Sequence, residues 1–169
     1  MSQYTPTTGR ILQINWLNMG QGQMGCGLTL TLNTMDQGII HMNVDGSTYI
    51  LNNQRLMIGD VVTCFYSLTA PVPLIYPPTY RAVVIVHTNG NTYAALDEFT
   101  QESCRGRLTN SDNTLILNLS NRTTTLLPNG QLFGGTLSGK LLLVIYSTTT
   151  RSIPAQTTPE TIIVFCAVS

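Results

Sequence analysis

Apolar and polar residues alternate at period two along much of this chain. In ILQINWLNM (residues 11–19) Leu12, Ile14 and Trp16 fall on one side and Gln13 and Asn15 on the other. In CGLTLTLNT (26–34) Leu28, Leu30 and Leu32 oppose Thr29 and Thr31, and in GIIHMNVDGSTYIL (38–51) Ile40, Met42 and Val44 share a side. Successive side chains of a strand point to opposite faces, so this alternation predicts half-buried β-strands. A break at Asp45 and Gly46 predicts a bulge or sharp bend in the third. GDVVTCFYS (59–67) and TYRAVVIV (79–86) supply a fourth and a fifth strand, separated by a loop stiffened by Pro71, Pro73, Pro77 and Pro78. No helical periodicity longer than two turns occurs, and between the third and fourth strands only Gln54–Ile58 has room for a single turn. Five strands, the third long and bent, are the order of an OB-like barrel.

The same pattern returns in the second half. YILNNQ (49–54) matches TLLPNGQ (125–131), Gly59 matches Gly139, FYS (65–67) matches IYS (145–147), and a second proline loop with Pro154 and Pro159 precedes the closing strand TIIVFCAV. The chain is therefore read as all-β, with two tandem OB-like five-stranded barrel modules related by internal duplication. The expected boundaries are an extended Thr-rich arm over residues 1–9, a first module over 10–88 and a second over 91–169. Asn89-Gly90 between β-forming residues predicts a hairpin that pairs the last strand of one module with the first of the next and joins them rigidly.

Charge narrows the partners. Only 9% of residues are charged, and eight basic residues balance eight acidic ones. A near-neutral surface offers little electrostatic resistance to self-association. It also lacks the clustered Lys and Arg that nucleic acid demands, since Arg105 and Arg107 form the one close basic pair. No basic cluster followed by an apolar run opens MSQYTPTTGR, so no secretory leader is expected, and no apolar run is long enough for a membrane-spanning helix.

Candidate chemistry is sparse. His41 and His87 would need converging carboxylates to act as a base or metal pair, with Asp45 and Asp97 nearest by pattern. Asp97, Glu98 and Glu102 form one acidic cluster, short of the ligand count of a calcium site. No nucleophile elbow or phosphate-cradling loop is present, and GQGQMGCG lacks a following helix. The expectation is a non-enzymatic protein with no catalytic residue, no metal and no cofactor. Cys64 and Cys166 lie in apolar strands, whereas Cys26 and Cys104 lie in polar stretches and are read either as free thiols or as disulfide partners, within or between subunits.

The aromatic residues carry more. Tyr66, Tyr76 and Tyr80, with Pro73, Pro77 and Pro78, make a rigid amphipathic segment that suits contact with a partner or, alternatively, caps its own barrel. APVPLIYPPTYRAVVIV (70–86), preceded by GDVVTCFYS, and TRSIPAQTTPETIIVFC (150–166) resemble a family of small, uncharacterised β-rich proteins from endospore-forming Gram-positive bacteria. The resemblance implies a bacterial origin and brings no functional residue with it. The expected function is a self-associating structural protein, a homo-oligomer or filament subunit of a bacterial extracellular or spore surface, assembled in part by strand addition through the arm. The alternative is an OB-like module that binds a glycan or other oligomer on Thr29, Thr31, His41 and Asn43, with Trp16 or a tyrosine as stacking platform.

Overall fold

A computed structural model describes residues 3–102 and 106–166. The protein is all-β, with two multi-stranded sheets. Two compact units divide it, one of residues 4–89 and the other beginning at Gly90.

The first unit holds β1 (Tyr4–Asn18), β2 (Met24–Thr34), β3 (Gly38–Asp45), β4 (Tyr49–Ile50), β5 (Val61–Ser67) and β6 (Thr79–His87). Antiparallel pairings run from β5 through β1 and β2 to β3, β6 lies antiparallel to β5, and its start runs parallel to β3. These pairings close a five-strand ring, in which β1 meets β5 through Tyr4–Arg10 and β2 through its part from Gly9 onward. Inside it Leu30 and Leu32 of β2, Ile40 and Met42 of β3, and Val62 and Cys64 of β5 are fully buried. The alternation of β2 and β3 thus points inward as read. One 3₁₀ turn, Leu51–Asn53, precedes β5, earlier in the chain than the expected Gln54–Ile58, and Leu56 packs into the core behind it.

Two expectations for this unit are corrected. The arm is not an arm: Tyr4–Arg10 is the first half of β1 and pairs with Ser67–Val61 of β5. Thr7 is buried and donates to Asp36 Oδ1, while Thr8 and Thr63 share a hydrogen bond of 2.8 Å. One side of this segment is therefore paired within the unit. Leu12 faces outward, because the β1–β2 register slips between Ile11 and Gln13 and this bulge turns Ile11 inward instead.

Gly9 is where β1 pairs with β2 and β5 at once. A Cβ there would lie 2.8 Å from the Asn33 carbonyl oxygen and 2.9 Å from Thr34 Cγ2. Gly9→Ala is therefore expected to cost about 1–3 kcal/mol by overpacking. Chemical denaturation checks it, and wild-type stability in the variant would contradict this account of the crossover.

The second unit holds β7 (Tyr93–Gln101), β8 (Arg107–Asn110), β9 (Leu115–Asn118), β10 (Thr124–Leu126), β11 (Lys140–Tyr146), β12 (Ala155–Thr157) and β13 (Thr161–Phe165). Its order is β10-β13-β11-β7-β8-β9-β12, with β12 parallel to β9 and β13 parallel to β10. In the first unit one strand, β6, makes both parallel pairings, first with β3 and then with β4; here two strands make them, β12 with β9 and β13 with β10. Pro159 stands between them and has no N–H for a ladder. Phe99, Leu117, Leu142, Val144 and Ile162 fill the core. Gly59 and Gly139 open β5 and β11 alike: each has positive φ (95° and 83°) and donates its N–H at 2.8 Å, to Ile11 and to Phe99 respectively.

The Asn89-Gly90 hairpin does not form, because β6 and β7 belong to different sheets. The ladder of β6 is taken by β5, β3 and β4, and that of β7 by β11 and β8. β8 lies in a stretch rich in polar residues, yet Leu108 and Thr109 on it are buried.

Candidate functional site

β5 ends on Tyr66 and Ser67, β6 begins on Thr79 and Tyr80, and the Pro-Tyr loop, Leu68–Pro78, bridges them. Its feet are fixed. Tyr66 and Tyr80 stack with centroids 4.1 Å apart at 20°. The Tyr80 hydroxyl donates to Gln37 Oε1 at 2.7 Å, and Gln37 Nε2 donates to the Tyr66 oxygen at 3.5 Å. Gln37 is held in the β2–β3 turn by its own N–H, which donates to Thr34 Oγ1. Pro78 contributes its carbonyl, which accepts from the His41 N–H at 2.8 Å. Burial pushes the Tyr66 hydroxyl's pKa up, with the nearby Tyr80 adding to it.

Above these feet the loop is open. Leu74 is 104% and Tyr76 86% exposed, and Leu68, Val72 and Ile75 are also exposed. Pro73 is exposed, and Pro77, after a cis bond from Tyr76, and Pro78 are half-buried. The six residues singled out by sequence therefore divide. Pro73 and Tyr76 face solvent, Pro77 and Pro78 sit at the base, and Tyr66, 9% exposed, belongs to the core of the unit, with its stacking partner Tyr80 half-buried against it. Tyr66 is buried and Tyr80 half-buried, and both hydroxyls are bonded to Gln37, so these two residues hold the base of the loop.

On the outer face of the first sheet, register aligns Asn15, Thr29, Asn43 and Arg81 in one row and Gln13, Thr31, His41 and Thr79 in the next. Thr29 donates to Asn43 Oδ1 at 2.8 Å. Arg81 is tied to Asp45 at 3.2 and 3.3 Å and to Ser47 Oγ at 2.5 Å. Hydrogen bonds from Ser47, and then Arg81, hold the Asp45 carboxyl below the usual range. Trp16 is no platform for this face: it pairs with Leu28, on the opposite side of the sheet, and stands exposed.

His87 meets neither Asp45 nor Asp97. Its Nε2 lies 2.9 Å from Asp60 Oδ2, which also accepts the Met57 N–H at 3.0 Å, so the pair ties the Met57–Asp60 turn to the end of β6. Asp60 escaped sequence reading because nothing in Gly59-Asp60 points to a histidine so distant in the chain. Asp97 is buried and accepts from Ser111 Oγ at 2.8 Å, Glu98 is exposed, and Glu102 accepts from Thr109 and pairs with Arg107 at 3.6 Å. The acidic residues diverge into separate structural roles. Among the described residues no three His, Cys, Asp or Glu gather as a metal cluster, and no helix is long and apolar enough to cross a membrane. Cys26 is a free, exposed thiol, while Cys104, its suggested disulfide partner, and Arg105 lie outside the described residues.

In the second unit the loop between β11 and β12 borders a cleft whose walls include Asn118 and Gln156. No pattern in the sequence pairs these residues; β9 and β12 bring them together. No protein-family model matches this chain, and no characterised protein or solved structure was found that matches it.

Proposed function

We propose that this chain is a non-enzymatic, self-associating structural β protein and that the Pro-Tyr loop of its first unit is the contact surface. One observation carries the reading: Leu68, Val72, Leu74, Ile75 and Tyr76 stand in solvent on one proline-stiffened segment. A loop that capped its own barrel would bury them. Proline lowers the entropy lost when such a segment is immobilised, so more of the apolar contact is retained as affinity. A second copy is the occupant that charge favours, since eight positive and eight negative residues leave no net repulsion between copies.

The ring order supports reading the first unit as an OB-like module, and the paired glycines with the shared pairing scheme support internal duplication. The bacterial surface or spore setting rests on the resemblance of the two proline loops. Loop-to-loop contact about a two-fold axis would stop at a dimer, whereas contact between the loop and a different surface grows open-ended, as a filament or layer requires.

Light scattering of the full chain over a wide concentration range tests this. Expected is growth beyond a dimer in the wild type and at least tenfold weaker association in a Leu74→Ser/Tyr76→Ser variant of unchanged melting temperature. A monodisperse monomer at high concentration, or equal assembly by the variant, overturns the reading. A dimer alone sinks the filament.

A further inference from the structure

We propose that the cleft of the second unit is a binding site for a neutral saccharide, an inference independent of the Pro-Tyr loop. The cleft measures about 290 Å3 and lies between Asn118 at the end of β9, Gln156 and Thr157 of β12, and the threonine run Thr148–Thr150. That volume sits at the lower bound of about 300–1,000 Å3 typical of small-molecule sites and suits one or two sugar rings.

Its walls are fixed before any ligand arrives. The Thr150 N–H donates to the Gln156 carbonyl and the Gln156 N–H to Thr150 Oγ1, both at 2.9 Å, while Thr157 Oγ1 donates to the Thr148 carbonyl at 2.6 Å. Across the cleft Asn118 Nδ2 donates to Gln156 Oε1 at 3.1 Å. That bond engages one atom of each amide and leaves Asn118 Oδ1 as an acceptor and Gln156 Nε2 as a donor on two lining residues held together. A vicinal diol matches the pair: one hydroxyl donates to Oδ1 and its neighbour accepts from Nε2. Reversing both amide groups exchanges the two roles and preserves the match.

The chemistry of the lining selects among ligands. Every lining residue is Asn, Gln or Thr, so a phosphate or carboxylate entering the cleft would give up water without meeting a counter-charge. No aromatic side chain lines the cleft to stack on a nucleobase, and its apolar surface comes from threonine methyls and methylene groups of the kind that pack against the C–H faces of a sugar ring. A neutral polyhydroxyl compound keeps its hydrogen bonds and carries no charge to desolvate.

Titration of the full-length, isotope-labelled protein with maltotriose, cellotriose and chitotriose, each followed by amide NMR, tests the assignment, with glucose 6-phosphate as the charged comparison. Expected are shifts at the Asn118 and Gln156 side-chain amides with at least one neutral trisaccharide. Binding should weaken at least tenfold in Asn118→Ala/Gln156→Ala, with the melting temperature confirming that the fold survives; should that variant not fold, Thr149→Val serves in its place. No shift with any of the three sugars, equal binding by the folded variant, or tighter binding of glucose 6-phosphate would each overturn the proposal.

Discussion

Replacing Tyr80 with serine should destabilise the first unit by about 2–4 kcal/mol, whereas the same change at Tyr76 should stay within about 0.5 kcal/mol of wild type. Both tyrosines flank Pro77 and Pro78, yet their surroundings differ. Tyr80 loses a stacked pair, about 0.5–1.5 kcal/mol beyond its area. It also loses the 2.7 Å bond to the half-buried Gln37, about 1 kcal/mol. Tyr66, buried beneath it, would be left facing a void. Tyr80→Phe separates the parts: it keeps the stack and should cost about 1 kcal/mol. Urea midpoints of the three variants provide the comparison. Equal losses at Tyr76 and Tyr80 would mean that the loop folds back as a cap, and the self-association surface would have to be sought elsewhere.

Strand positions were legible wherever large aliphatic residues alternate with small polar ones, as in Leu28–Leu32 and Ile40–Val44, because burial of those side chains leaves one choice of face. Threonine carries no such instruction. Thr7 is buried and Thr8 bonds across to Thr63, but the TPTT run that contains them has the composition of an exposed arm. The bulge at Leu12 was hidden for a related reason: Ile11 and Leu12 are both apolar, and only the pairing partners decide which one turns inward. The Asn89-Gly90 dipeptide has the right turn chemistry, but local preference cannot outweigh ladders already filled on both flanking strands.

The candidate surface was half legible. Proline spacing marks Leu68–Pro78 as a rigid loop, and its apolar content is plain. Which tyrosines point inward depends on Gln37, 43 residues from Tyr80 in the chain. Asp60 lies 27 residues from His87, and Asn118 lies 38 from Gln156. Each of these pairs is a product of long-range contacts in the fold, and no short window of sequence contains both members.

Raising the pH from about 8 to about 11 should remove about 3 kcal/mol of stability through Cys64 alone. The Cys64 side chain is fully buried on β5 among Leu30, Met42, Ile85 and their neighbours, and burial pushes its thiol from an ordinary value of 9.0 up to about 12. The folded protein therefore holds the neutral thiol. Below pH 9 the unfolded chain holds the same proton, and the full stability is present. Above it the unfolded chain releases the proton while the folded one retains it, so stability falls by about 1.4 kcal/mol for each pH unit. The loss ends as pH passes the folded value of about 12, after about 4 kcal/mol in all. Tyr49, Tyr66 and Tyr146, also raised by burial, add loss of the same sign toward the top of the range. Cys64→Ala isolates the thiol's share, since it removes the group while leaving the tyrosines in place. Urea denaturation under reducing conditions should show the wild type falling steeply from about pH 9 and the variant holding level until the tyrosines titrate. Parallel slopes in the two proteins would show that Cys64 reaches water, and with it that the closed ring of the first unit opens in alkali before it unfolds.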